Sequence, residues 1–186
     1  GVLTAAGLRT VRRVVLSDDT PQVGTRLDTF AVDMGTAGRV VEAPEWTGPG
    51  MGRVLAVDMG NPHLVIEVEP DAAGPDLVEL GESANAKIPG GANVHLVQGV
   101  GDGGITIRTY ERGVGLTPAC GTGACASAVA AQRWGLASGS VPVAMPGGDV
   151  LVTVGEPVVL TGPAVFVATV ETDVASPAAP AGRGTP

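Results

Sequence analysis

A cysteine stands at the junction of a glycine-rich loop and an alanine-rich stretch. Residues 108–132 read RTYERGVGLTPACGTGACASAVAAQ, with Cys120 between Ala119 and Gly121 and with further glycines at positions 113, 115 and 123. Alanine favours helix by propensity, and the glycines free the backbone ahead of it to wrap closely around something small. At a helix start the first N–H groups have no intrahelical partner and the dipole is positive. Such a position suits an anion and favours a thiolate. The expectation is a Cys120 thiol of lowered pKa that can act as a base, with the Gly121 and Thr122 N–H groups holding a carboxylate beside it. An unpaired cysteine is more often a small buried hydrophobe, and that is the reading for Cys125, one turn further along.

Other polar residues fall where sites tend to form. His63 follows the turn Gly60-Asn61-Pro62 at a strand end, a common place for functional side chains. His95 alternates with apolar residues in NVHLV and is predicted to face solvent. Asn61 and Asn93 could do no more than cap turns. Glu111 and Arg112 could be an ordinary surface ion pair of little energetic weight. Singly, each has a structural explanation; their combination does not look accidental.

The elements that must position these residues are mostly strands. Alternating patterns run through TVRRVVL, DTFAVDMG, RVLAVDMG, HLVIEVE, ANVHLVQ, ITIRTYE, VPVAM, VLVTV, PVVLTG and AVFVATVE, as half-buried strands do. Turn signals separate several of them: Gly60-Asn61-Pro62, Gly101-Asp102-Gly103-Gly104 and Pro146-Gly147-Gly148-Asp149. Two helices are predicted, a short one near Asp76–Asn85 and the alanine-rich one from about Gly121 to Leu136. The second is apolar on nearly every side, which marks a buried helix. The predicted fold is therefore α/β (α+β), a curved, mostly antiparallel sheet wrapped around a central Ala-rich helix.

Composition narrows the function. The 186 residues are 44% hydrophobic and only 3% aromatic, with a net charge of −8. Nucleic acid and anionic membrane are disfavoured as partners by that charge. No apolar run reaches a membrane span, and the N-terminus carries no signal-peptide pattern. Two cysteines five positions apart make no disulfide framework, so a reducing, cytoplasmic setting is expected. Gly121-x-Gly123-x-x-Ala126 matches a relaxed dinucleotide fingerprint. However, ERGVGLTPAC separates it from the preceding strand, and no acidic residue lies at 139–143, where that fold needs one. No Walker phosphate loop is present, and no cofactor or metal is expected.

Read together, the stretches YERGVGLTPACGTGACASAV at 110–129, VDMGNPHLVI at 57–66, GGANVHLVQ at 90–98, MPGGDVLV at 145–152 and LTGPAVFV at 160–167 resemble the C-terminal half of the diaminopimelate epimerases. The resemblance implies two similar domains, each a curved sheet on a central helix. It also implies a cofactor-independent isomerase that interconverts L,L- and meso-diaminopimelate. Inverting an amino-acid Cα needs a base on one face and an acid on the other, and the family uses two cysteines, one per domain. By position, Cys120 matches the C-domain cysteine. Gly121 and Thr122 match the residues whose N–H groups hold the reacting carboxylate, and Asn61, Asn93, Glu111 and Arg112 match substrate-binding positions. Arg112 suits the distal carboxylate. Glu111 is implied to tune Cys120, and His63 to tune the partner cysteine.

Departures accompany the resemblance. The family's Cys-Gly-Asn-Gly-type motif, which carries the other catalytic cysteine, is absent, and Cys125 is on the wrong side to replace it. Residues 1–28 and 162–173 are then expected to be strands left over from the N-terminal domain, 29–161 the C-terminal domain, and 174–186, rich in Pro, Ala and Gly, a disordered tail. The fragment alone is expected to be inactive. Leu116 stands where the family usually has Glu. Ala168 falls about where it commonly carries a tyrosine used in dimerisation, so the implied homodimer would lack that contact. Two other readings share the fold: a proline-racemase-like isomerase such as a hydroxyproline epimerase, and a non-catalytic binding module.

Overall fold

The computed structural model describes residues 1–4, 7–14, 28–70, 72, 74–169 and 171. The expected disordered tail at 174–186 lies outside them, as do parts of the expected 1–28 and 162–173 segments. Two short strands, β1 (Val2–Thr4) and β2 (Gly7–Arg9), pair antiparallel as a separate sheet.

The strands of the main sheet are β3 (Val11–Val14), β4 (Asp28–Gly35), β5 (Val40–Glu42), β6 (Met51–Asp58), β7 (Pro62–Val68) and β8 (Asn93–Val100). They continue with β9 (Gly104–Glu111), β10 (Gly115–Thr117), β11 (Ser140–Met145), β12 (Gly148–Thr153) and β13 (Val158–Ala164). Their spatial order is β3-β4-β13-β12-β11-β9-β8-β7-β6-β5, with β10 added to β9. Among the described strand pairs, only β7–β8 and β9–β11 are parallel. Those two junctions are where helices intervene in the chain, α1 (Leu77–Lys87) between β7 and β8 and α2 (Gly121–Trp134) before β11. Parallel neighbours require such a crossover.

Contacts of α2 reach seven adjacent strands, from β13 through β12, β11, β9, β8 and β7 to β6. Laid flat, seven strands would span about 29 Å, far wider than a helix about 10 Å across. The sheet must therefore curl around α2. Residues 123–128 of α2 are all buried, as a helix enclosed on every side requires. Alanines and a glycine let the strands come close, and Leu55, Val57, Val65, Val97, Ile105, Val141, Val143 and Val152 pack on them. On the opposite face Val54, Leu64, Ile66, Val94 and Leu96 pack with Leu77 and Ala84 of α1. Strands β6 to β8 are thus covered on both faces.

Two strand expectations are corrected. His95 does not face solvent: it is fully buried on the α2 face, because α1 and α2 leave no open side for an alternating residue of β8. In the run AVFVATVE, residues 165–169 are not strand. At Ala164 β13 pairs with Asp28, the first residue of β4, so no described neighbour continues the ladder. Val165, Phe166 and Val167 follow without strand structure and are exposed. The boundary expected at residues 161 and 162 falls within β13.

Candidate active site

Three junctions deliver the site. The turn between β6 and β7 is set by Gly60, with φ +90° and its N–H on Asp58 Oδ1 at 2.8 Å, and it presents Asn61 just ahead of His63. Parallel pairing of β7 with β8 then sets His63 opposite Asn93 and Val65 opposite His95. The β9–β10 hairpin carries Glu111 and Arg112 at its tip. From β10 the chain passes Pro118 and Ala119 to Cys120, the N-cap of α2. That passage is tied down by the Gly147 N–H on the Pro118 carbonyl at 2.8 Å. A Cβ at Gly147 would lie 3.0 Å from the same oxygen, which accounts for a glycine in the PGG turn.

These junctions bring the expected residues together. Cys120 Sγ lies 3.7 Å from Thr122 Oγ1, which accepts from Asn61 Nδ2 at 3.4 Å. Asn61 Oδ1 meets His63 Nε2 at 2.9 Å, and His63 Nδ1 meets His95 Nε2 at 2.8 Å. His95 Nδ1 closes the chain on Thr109 Oγ1 at 3.0 Å. Beside it, Asn93 Oδ1 accepts the Arg112 backbone N–H at 2.9 Å and its Nδ2 reaches the Pro62 carbonyl at 3.5 Å. Arg112 is exposed and donates from Nη1 to the Gly90 carbonyl at 2.6 Å, which holds the guanidinium at the rim. Gly121 and Thr122 are the first residues of α2, where N–H groups lack intrahelical partners. Asn61 and His63 also line a cavity of about 470 Å³ with Arg39 and Asp58.

Electrostatics correct the expectation of a lowered thiol pKa. Burial pushes Cys120 up from its ordinary value, and the neighbouring Glu111 carboxylate adds to that. The Gly123 N–H and the Thr122 hydroxyl pull the other way without reversing it. The helix start is present, yet at a residue only 7% exposed the thiolate loses more hydration than the Gly123 N–H and Thr122 hydroxyl return. His63 is lowered to about 4, chiefly by desolvation and secondarily through Arg112, against an opposing pull from Asp58. His95 is lowered well below the ordinary histidine value by its burial and by His63. Both rings are therefore neutral at pH 7. Cys125, fully buried, is pushed up to about 12 and is inert core, as expected.

A family model described as diaminopimelate epimerase matches residues 55–167. The chain belongs to the diaminopimelate epimerase family. The diaminopimelate epimerase of Sphingopyxis alaskensis is 47% identical over 122 residues, covering 63% of this chain and 45% of the relative. That of Rhizorhabdus wittichii is 43% identical over 125 residues, covering 66% and 46%. The chain thus spans about half the length of the curated relatives it matches. Among solved structures, a predicted epimerase from Pseudomonas aeruginosa matches with TM-score 0.59 at 17% identity, covering 90% of this chain and 68% of its own. A probable proline racemase from Agrobacterium radiobacter matches with TM-score 0.58 at 20% identity, covering 92% and 59%. At such identities the two structures share the fold with this family member.

The sequence reading missed His95 and Thr109 as parts of the site. A signal was present: HLVIEV and the NVHLV that pairs with it are apolar at nearly every position, the mark of strands buried on both faces. A histidine in such a strand must find a polar partner inside. Leu116, in place of the family's usual Glu, is 60% exposed on β10 opposite Tyr110.

Proposed function

We propose that this chain supplies the C-terminal half of a cofactor-independent epimerase site acting on diaminopimelate, with Cys120 as the acid/base group on one face of the reacting carbon. The observation that carries the reading is the placement of Cys120 at the start of α2. There it lies beside Glu111 and joins Asn61 and His63 through Thr122. In one direction the Cys120 thiolate takes the Cα proton, and the electron pair stays on Cα, conjugated with the carboxylate. A second group on the opposite face then returns a proton and the centre is inverted. In the other direction the Cys120 thiol is the donor, and its raised pKa suits that role.

The reacting carboxylate would sit on the Gly121 and Thr122 N–H groups, where helix-start donors also stabilise charge developing at the carbanion. Arg112, tethered to Gly90, would take the distal carboxylate, with Asn61 and Asn93 orienting the chain between. Residues 29–161 would supply most of the C-terminal domain, whose last strand runs on to Ala164. A cytoplasmic location fits the two free cysteines, since the reaction needs a reduced thiol. The proline-racemase-like reading rests on fold alone.

The test is interconversion of L,L- and meso-diaminopimelate, catalysed by the protein translated from the whole reading frame that contains this sequence. Interconversion in the wild type and its loss in Cys120→Ala support the reading, since inversion needs both groups. Undiminished interconversion in Cys120→Ala would remove Cys120 from the mechanism.

A further inference from the structure

We propose that His95, held by Thr109, is a positioning residue for this site: it keeps His63 in the tautomer that allows the hydrogen-bond chain to end as a donor on Cys120 Sγ. This rests on the reading of Cys120 as the acid/base group, and it adds a residue that the resemblance did not assign.

Five contacts in series fix where each proton lies. When Cys120 is a thiolate it can only accept, so the Thr122 hydroxyl at 3.7 Å must donate to it. Thr122 Oγ1 has then spent its single proton and serves Asn61 Nδ2, at 3.4 Å, as acceptor. That orients the Asn61 amide with Oδ1 toward His63, so Nε2 of His63 carries the proton across the 2.9 Å contact. A neutral His63 then has a bare Nδ1, which must accept from the Nε2–H of His95 at 2.8 Å. His95 in turn has a bare Nδ1, supplied by the Thr109 hydroxyl at 3.0 Å. Each link determines the next, and every donor points toward the sulfur. Without the His95 donor, His63 Nδ1 would be a buried acceptor with nothing on it, an arrangement that costs more than the hydrogen bond itself. The ring would then gain by turning or by changing tautomer.

Packing supports the same role. A Cβ added at Gly123 would lie 2.2 Å from His95 Cε1. The imidazole is therefore pressed on the first turn of α2, the turn whose Gly123 N–H also acts on Cys120. The absence of a side chain at 123 lets the ring occupy that place. Charged and titratable groups acting on the assembly are Asp58 and Arg112 at His63, and Glu111 and Cys125 at or beside Cys120. None of them supplies the Nδ1 donor.

The first measurement is the tautomeric state of both rings in the unsubstituted protein, read from two-bond 15N–1H correlations at a pH where Cys120 is ionised. Nε2–H with bare Nδ1 on both His63 and His95 is expected; Nδ1–H on either ring would overturn the inference. The second is the rate of Cys120 alkylation by iodoacetamide against pH, with Cys120→Ala as the blank. His95→Leu should slow alkylation at neutral pH by up to about tenfold, the factor carried by one hydrogen bond of ordinary strength. His95→Gln places an amide N–H near the lost Nε2–H and should restore most of the rate. Equal rates in wild type and His95→Leu would contradict the proposal, and if that variant does not fold the tautomers decide. Turnover that survives Cys120→Ala would instead defeat the functional reading and leave the tautomer result standing.

Discussion

Arg112 shows why the kind of cation matters at the site rim. Its Nη1 is committed to the Gly90 carbonyl at 2.6 Å, and its backbone N–H to Asn93 Oδ1 at 2.9 Å. A planar fork so tethered can still present parallel N–H groups to a carboxylate, whereas an ammonium has one centre and no fork. Arg112→Lys is therefore expected to raise KM for diaminopimelate about tenfold or more, with a smaller effect on kcat. Equal KM values would mean that the distal carboxylate lies elsewhere. Much of this scale was legible: Cys120, Asn61, His63, Asn93, Glu111 and Arg112 do converge. The ionisation of Cys120 was not, because a helix start is visible in a sequence while the desolvation opposing it depends on what packs over the sulfur. The role of His95 was hidden for the same reason, since its environment is built by two helices distant in sequence.

At the scale of elements, the two helices each carry a glycine that propensity alone would reject. A Cβ at Gly81 of α1 would lie 2.3 Å from Cγ of Tyr110. Alanine there should gain about 1 kcal/mol of helix propensity, but overpacking a ring body costs about 1–3 kcal/mol. Gly81→Ala is therefore expected to destabilise, measured as a lower midpoint in urea; a raised midpoint would mean that Tyr110 moves freely. At the start of α1, Asp76 accepts from the Val78 and Glu79 N–H groups at 2.8 and 3.1 Å. Asp76→Ala should cost about 1 kcal/mol in the same assay. Both helices were foreseen within a few residues of their ends, as were most strands of the main sheet, because hydrophobic period and turn residues are local signals. The two-residue approach to Cys120, the short β10 and the end of β13 at Ala164 were not. Each is decided by which neighbour lies alongside: Tyr110 pairs with Leu116, whereas among the described residues β4 begins at Asp28, opposite Ala164.

For the molecule as a whole, the buried histidine pair predicts how stability responds to acid. His63 titrates at about 4 when folded against an ordinary 6.5, and His95 is displaced in the same direction. The unfolded chain therefore binds more protons between those values, so this stability is complete above about pH 6.5 and is lost as pH falls toward 4. For His63 the span corresponds to about 3 kcal/mol. Urea midpoints measured from pH 7 to 4.5 should fall accordingly, and less steeply in His63→Gln; identical slopes would contradict the burial argument.

The wrapping of one sheet around a central helix was readable from the all-round apolar face of α2. The chain spans about half the length of the curated relatives it matches. The most direct test of the account is therefore the rate at which the protein of the whole reading frame interconverts L,L- and meso-diaminopimelate. Wild type should interconvert them, and Cys120→Ala should fall by about 10²–10⁴-fold, the range for a lost acid/base group. Interconversion at the wild-type rate without the Cys120 thiol would contradict it.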